Sequence, residues 1–187
     1  MISTKRLVSI GIFTALMIVS VFVKITLGPV PFTLQTLIAL MAGIVLGKRD
    51  GAIAMLIYTI IGLIGLPVFS GGGGPGYVLA PTFGFILGFI LAAFVSGLLY
   101  EKLKIANKYL KGILSTIIGA LIVYLPGLIY FYLIMNNVVG KPFTIFGTIS
   151  VAMLPFLIPD LVKGIIAGIL GVIINNALFN RQLKDKE

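Results

Sequence analysis

The chain has 187 residues, a length typical of one domain, and its composition indicates the class of protein. Hydrophobic residues make up 59% of the sequence and charged residues only 10%, whereas soluble domains average about 45–50% apolar and about 25% charged residues. We therefore predict an integral membrane protein with a single membrane domain over residues 1–187. The absence of cysteine and histidine excludes disulfides, thiol chemistry and the commonest metal ligands, so we expect no metal and no cofactor.

Six apolar segments follow one another along the chain and predict an all-α bundle of six transmembrane helices. A helix needs about 20 residues to cross the hydrocarbon core of a bilayer. The second and third segments are shorter than this, so we expect tilt or a thin membrane rim there. The predicted helices cover about residues 7–23, 33–47, 51–66, 80–99, 111–135 and 151–179.

The first segment follows Lys5 and Arg6 and carries small residues. Gly11 and Ala15 are four positions apart, a pattern that lets two helices approach closely in lipid. The pattern predicts docking of a partner helix, with packing inside the same chain as the alternative. The segment ends at residues 21–24 without a small-x-small cleavage site, so we interpret it as a retained helix rather than a signal peptide.

The basic residues are distributed unevenly between the two sides of the predicted bundle. With the N-terminus inside, 11 of the 14 basic residues fall in inner loops and tails, two fall in outer loops, and Lys163 lies in the membrane. The positive-inside rule then places both termini in the cytoplasm of a multi-pass plasma-membrane protein. Attraction to anionic membrane lipid is a secondary consequence, and no nucleic-acid partner is expected. The inner residues are Lys5, Arg6, Lys48, Arg49, Lys102, Lys104, Lys108, Lys111, Arg181, Lys184 and Lys186, and the outer ones are Lys24 and Lys141.

The first two outer loops are apolar and aromatic, which is unusual for loops that meet only water. Phe32 lies in the first loop, and Phe69 and Tyr77 lie in the second. We interpret these loops as a lid over a cavity, with interfacial anchoring of the aromatic rings as the alternative. Thr33 and Gln35 form the polar tip of the first loop and are, with Tyr77, candidate ligand contacts.

Four consecutive glycines occupy residues 71–74 of the second outer loop. A P-loop is excluded because no Lys and no Ser or Thr follows them and no strand is predicted before them. Glycine allows close backbone approach to a ligand, and its N–H groups can converge on an anion. Gly73 and Gly74 are therefore candidate ligand contacts, with a flexible hinge as the equal alternative.

Asp160 and Lys163 interrupt the sixth apolar segment. Charged side chains inside a membrane are costly and need a partner, water or a ligand, and a spacing of three places them on one helix face. If the two residues form a binding site, Asp160 accepts hydrogen bonds from ligand N–H groups and Lys163 donates to a carbonyl or carboxylate. The alternative is structural: Pro159 and Asp160 begin a helix that Asp160 caps, with Lys163 as its ion-pair partner. Tyr124, in the fifth segment, is interpreted as a packing or interfacial residue.

Four sequence blocks carry a family resemblance. They are residues 28–36 (Gly-Pro-Val-Pro-Phe-Thr-Leu-Gln-Thr), residues 62–69 (Gly-Leu-Ile-Gly-Leu-Pro-Val-Phe), the glycine-rich segment that ends at Tyr77, and residues 159–163 (Pro-Asp-Leu-Val-Lys). In this order and spacing they cover most of the chain. Together they resemble the biotin-transporter BioY family, the substrate-binding S-components of energy-coupling factor (ECF) transporters.

The resemblance implies an S-component-like bundle of six helices that captures biotin in an outward-facing pocket beneath the first loop. It also implies an EcfT-type transmembrane partner and two cytoplasmic ATPase subunits. In that family the first helix docks through an Ala-x-x-x-Ala pattern, to which Gly11 and Ala15 are the closest match here. Asp160 and Lys163 suit the polar ends of biotin, and the glycine loop suits its carboxylate.

Other functions stay open at this point. The chain is alternatively an S-component or a stand-alone carrier for another small vitamin, or a structural subunit that binds no ligand. An intramembrane enzyme would use Asp160 and Lys163 as acid and base. Because the chain offers one membrane-embedded acid and no histidine, cysteine or metal set, we do not expect an enzyme.

Overall fold

The computed structural model describes residues 3–26 and 30–184, and over these residues the fold is mostly helical. Gly28 and Pro29 of the first sequence block, and Lys186 of the predicted inner tail, lie outside the described residues. The α-helices of the described part are α1 (Thr4–Ser20), α2 (Gln35–Leu46), α3 (Lys48–Leu63), α4 (Phe83–Lys102), α5 (Lys108–Asn137), α6 (Ile145–Ala152) and α7 (Leu154–Lys184).

The outer loops contain secondary structure that the sequence did not predict. Strands β1 (Lys24–Thr26) and β2 (Pro31–Thr33) form an antiparallel hairpin in the first loop. Their β-branched and aromatic side chains favour short strands, and proline is tolerated as the first residue of a strand. A 3-10 helix (Pro75–Leu79) follows the glycines of the second loop, and α6 lies in the third.

Three helices of the described residues are long and apolar enough to cross a membrane: α4, α5 and the Leu154–Leu178 part of α7. They support the predicted membrane class, whereas the number of six crossings stays a prediction. Helices α1, α2 and α3 have 17, 12 and 16 residues. At 1.5 Å per residue, α2 is about 18 Å long, against about 30 Å for the hydrocarbon core.

Helix α2 forms the centre of the bundle, in contact with α1, α3, α4, α5 and α7. Eight of its 12 residues are buried, from Gln35 and Thr36 at its start to Ile44 near its end. A helix that is apolar on all sides is suited to the interior of a protein or of a membrane. This position brings the polar side chains of Gln35 and Thr36 under the hairpin.

Close contact between α5 and α7 depends on glycine at their crossing. A Cβ atom added at Gly168 would lie 2.7 Å from backbone atoms of Ile113, whereas one added at Gly164 would lie 3.6 Å from Ile117. The hydroxyl of Thr116 also donates to the carbonyl of Gly164 at 2.6 Å. This crossing fixes the helix that carries Asp160 against the helix that carries Tyr124.

Helix α1 presents Gly11 and Ala15 on an exposed face, and a Cβ atom added at Gly11 would meet no atom of the described residues within 4 Å. Packing of this pattern inside the same chain, the alternative considered from sequence, is therefore wrong. The exposed face of α1, which points away from the rest of the bundle, is apolar and includes Leu7, Val8, Ile12, Leu16 and Val19.

Candidate ligand-binding site

A cavity lies at the end of the bundle where the hairpin connects α1 to α2. Its volume is about 60 Å³, and the space between its walls reaches about 570 Å³ when the part open to solvent is counted. The hairpin, the second outer loop and all helices except α1 contribute to its wall. The polar residues of the wall are Thr33, Gln35, Thr36, Tyr58, Ser70, Tyr77, Thr82, Tyr124, Asp160 and Lys163.

Asp160 and Lys163 form an ion pair in this wall. Lys163 Nζ lies 2.5 Å from Asp160 Oδ1, and the hydroxyl of Tyr124 donates to Asp160 Oδ2 at 2.5 Å. Only 7% of Asp160 and 6% of Lys163 is exposed, so each charge depends on its partners for stabilisation. Since α7 begins at Leu154, Asp160 lies inside the helix, and the alternative of a helix cap is wrong.

Lys163 also holds the hairpin. Its ammonium donates to the carbonyl of Thr33 at 2.9 Å and lies 4.2 Å from the ring centroid of Phe32, a distance at which a cation is attracted to an aromatic face. Both residues belong to β2, so one cation connects α7 to a loop 130 positions away in sequence. The hairpin is thereby held as part of the cavity wall.

A second polar group lies around Gln35. Its Nε2 donates to the hydroxyl of Tyr58 at 2.6 Å, and this hydroxyl donates to the carbonyl of Val68 at 3.0 Å. The hydroxyl of Thr33 donates to Gln35 Oε1 at 3.2 Å. Side chains of α2 and α3 and the backbone of the second loop are thus connected across the wall.

Tyr77 brings the second loop into the site. Its hydroxyl lies 3.2 Å from the hydroxyls of both Ser70 and Thr82. Its ring packs on Phe69 with centroids 4.6 Å apart, and Phe69 packs edge-on against Tyr58 at 5.5 Å. Tyr77 therefore lines the cavity, and the role of the loop as a lid stays a prediction.

Gly73 and Gly74 lie outside the cavity wall. The N–H of Gly74 donates to the carbonyl of Gly62 at 2.7 Å, and a Cβ atom added at Gly73 would collide with the carbonyl of Leu66. Their close approach is to the end of α3 rather than to a ligand. The N–H of Gly74 already has an acceptor, so this contact gives no support to the interpretation of Gly73 and Gly74 as an anion-binding backbone, which stays a prediction.

The structure brings together Thr33, Gln35, Tyr77, Asp160 and Lys163 of the candidates chosen from sequence. Two further residues were missed or set aside: Tyr58, which carried no signal, and Tyr124, which had been interpreted as packing. Tyr124 could have been recognised from sequence, because a tyrosine hydroxyl buried in an apolar helix needs a hydrogen-bond partner. The charged pair in another apolar helix offers one. Apolar and aromatic residues complete the wall, among them Phe32, Phe85, Ile86, Phe89, Val123 and Phe156.

These features define a class: a helical membrane protein with a cavity at one end of the bundle, walled in part by a hairpin and lined by a buried ion pair. The sequence, compared over almost the whole chain, indicates to which family of this class the protein belongs. The family model for the BioY family matches residues 1–180, and the chain belongs to this family. The resemblance seen in the four sequence blocks is confirmed.

Relatives with assigned names support the same family. The chain is 38% identical over 169 residues to a biotin transporter BioY from Thermotoga maritima, with 90% of this chain and 94% of that protein covered. It is 46% identical over 134 residues to a probable biotin transporter BioY from Lysinibacillus sphaericus, with 72% and 68% covered. Its fold is similar to the crystal structure of the S-component for biotin from an ECF-type ABC transporter, with a TM-score of 0.72, 28% identity, and 96% and 95% of the two chains covered.

Proposed function

We propose that this chain is the biotin-binding S-component of an ECF-type vitamin uptake transporter. The observation that carries the proposal is the buried cluster of Asp160, Lys163 and Tyr124 in the wall of the cavity. The fold around it is shared with an S-component for biotin. Biotin combines a ureido group, an apolar bicycle and a carboxylate, and the cavity offers acceptors, donors and aromatic rings.

The proposed ligand contacts are Asp160, Lys163, Gln35, Thr33 and Tyr77. Asp160 and Lys163 pair with each other. A ligand that carries N–H donors and an oxygen acceptor satisfies both groups at once, because the carboxylate accepts and the ammonium donates. Binding therefore exchanges one set of charge-assisted hydrogen bonds for another and leaves no buried charge unpaired.

Titration of the purified protein with biotin tests this proposal. Asp160→Asn and Lys163→Ala should each weaken binding at least about tenfold, because a hydrogen bond to a charged group contributes about 1.5–3 kcal/mol and about 1.4 kcal/mol corresponds to a factor of ten. The matched controls are Asp50→Asn and Lys48→Ala. These residues form ion pairs with Arg6 and Glu101 near the starts of α1 and α3, so their loss should leave biotin affinity unchanged.

Three results of the titration would contradict the proposal. If the folded Asp160 and Lys163 variants bind biotin like the parent, the pair is structural. If the parent binds another small vitamin in preference to biotin, the chain is an S-component or carrier for that vitamin. If the ligand is recovered chemically changed, the chain is an enzyme.

We further propose that the chain acts with an EcfT-type membrane partner and two cytoplasmic ATPase subunits. The support is the exposed apolar face of α1 around Gly11 and Ala15, where small side chains allow close approach of another helix. Biotin uptake should then depend on the ATPase subunits. Accumulation of biotin in cells that lack them would favour a stand-alone carrier.

We propose a single membrane domain over residues 1–187 that crosses the plasma membrane six times, with both termini in the cytoplasm. The support is the distribution of the basic residues, which are concentrated near the two chain ends and around the junctions of α2 with α3 and of α4 with α5. The cavity would then open toward the outside, where a ligand to be captured is found.

A further inference from the structure

We propose that Tyr58 is a positioning residue that fixes the amide of Gln35 in one orientation and thereby determines how this part of the cavity recognises a ligand. The binding test of this inference rests on the proposed function, because it uses biotin as the ligand. The orientation of Gln35 is a property of the ligand-free protein and is tested separately.

The direction of the hydrogen bonds around Tyr58 follows from the atoms that meet there. Its hydroxyl lies 2.6 Å from Gln35 Nε2 and 3.0 Å from the carbonyl oxygen of Val68. A carbonyl oxygen only accepts, so the single hydroxyl hydrogen of Tyr58 points to Val68. The hydroxyl must then accept from Gln35, which requires the nitrogen rather than the oxygen of the amide at this position.

The other end of the amide is held by the hairpin. Thr33 Oγ1 lies 3.2 Å from Gln35 Oε1 and also accepts from the backbone N–H of Gln35 at 3.3 Å. Because a threonine hydroxyl can donate or accept, Tyr58 alone distinguishes the nitrogen from the oxygen of the Gln35 amide, and Thr33 then donates to Oε1. One hydrogen on Nε2 and one lone pair on Oε1 are left for a ligand, in fixed positions.

Because Tyr58 and Gln35 are buried, the hydrogen bond between them controls the orientation of the Gln35 amide. Tyr58 is fully buried and only 5% of Gln35 is exposed, so water does not readily replace a lost partner. Removal of the Tyr58 hydroxyl takes away the group that distinguishes amide nitrogen from amide oxygen on this side. Gln35 would then rotate between two orientations, and half of the ligand-free molecules would present the wrong group to the cavity.

The ligand-free test uses the side-chain amide of Gln35. The chain contains two glutamines, Gln35 and Gln182, so selective ¹⁵N-glutamine labelling gives two NH₂ signals, and Gln182→Asn assigns them. In Tyr58→Phe we expect the Gln35 signal to shift and its hydrogens to exchange faster. Tyr124→Phe is the matched control, because this cavity tyrosine donates to Asp160 and leaves Gln35 untouched. An unchanged Gln35 signal in Tyr58→Phe would overturn the inference.

The binding test is a double-mutant cycle read as biotin affinity. Gln35→Ala should weaken binding about tenfold, whereas Tyr58→Phe should weaken it about twofold, since half of the molecules still present the amide in the productive orientation. The double variant should bind no more weakly than Gln35→Ala alone, because Tyr58 acts through Gln35. Fully additive losses would show that Tyr58 contributes independently, and would overturn the inference. If the parent does not bind biotin, the proposed function fails, while the amide signal still decides whether Tyr58 orients Gln35.

Discussion

Asp160 is the residue on which the electrostatics of the cavity depend. One carboxylate oxygen faces Lys163 and the other accepts from Tyr124. A buried charge that loses one partner is destabilised by several kcal/mol, which is more than the intact pair contributes. The cluster therefore works as a unit, and each member is expected to influence ligand binding through the others.

Tyr124→Phe removes one partner of Asp160 while it preserves the shape of the cavity. We expect biotin affinity to fall about tenfold, because an unsatisfied buried acceptor costs about 1–3 kcal/mol. Isothermal titration of both proteins measures the difference. Tyr109→Phe is the control, since Tyr109 is exposed on the same helix far from the cavity. Equal affinity of Tyr124→Phe and parent would show that Lys163 alone satisfies Asp160.

Residues with unusual chemistry for their surroundings were predictable from sequence. Asp160 and Lys163 stand out because charge is rare in apolar segments, and Gln35 stands out beside a proline-rich loop. Tyr58 did not stand out, since a tyrosine in an apolar helix is equally suited to the membrane interface. Its role depends on the return of the second loop over α3, which brings Val68 to its hydroxyl and leaves no local sequence pattern.

The helices were predictable where burial and sequence pattern agree. The predicted segment 80–99 corresponds to α4 (Phe83–Lys102), and the predicted segment 111–135 corresponds to α5 (Lys108–Asn137). The boundary between α6 and α7 was not predictable, because it falls at Met153 inside one continuous apolar run. The hairpin was missed because three-residue strands are too short for an alternating pattern to be recognised.

The α5–α7 crossing predicts opposite effects for two neighbouring glycines of α7. Gly168→Ala places a Cβ atom 2.7 Å from the backbone of Ile113, and overpacking of this kind costs about 1–3 kcal/mol. Gly164→Ala makes an ordinary contact at 3.6 Å, and alanine is favoured over glycine in a helix by up to about 1 kcal/mol. Thermal unfolding in detergent should show a Tm lowered by several degrees for Gly168→Ala only. An equal Tm for the two variants would contradict the close crossing.

At the scale of the whole molecule, two exposed ion pairs and the cavity lie at opposite ends. Arg6 pairs with Asp50 and Lys48 pairs with Glu101 where α1 and α3 begin. The cavity lies beyond the ends of α1 and α3 and the start of α2. In the proposed orientation, with positive charge retained on the inner side of the membrane, the cavity would face outward.

The proposed orientation has a direct test, because the chain contains no cysteine and a single introduced thiol is unique. Ala106→Cys lies between α4 and α5, and Lys141→Cys lies between α5 and α6; both positions are exposed. A membrane-impermeant maleimide added to intact cells should label Lys141→Cys and should label Ala106→Cys only after the membrane is opened. The unmodified chain, which has no thiol, is the control. Labelling of Ala106→Cys in intact cells would reverse the orientation and place the cavity on the cytoplasmic side, where it cannot capture an external vitamin.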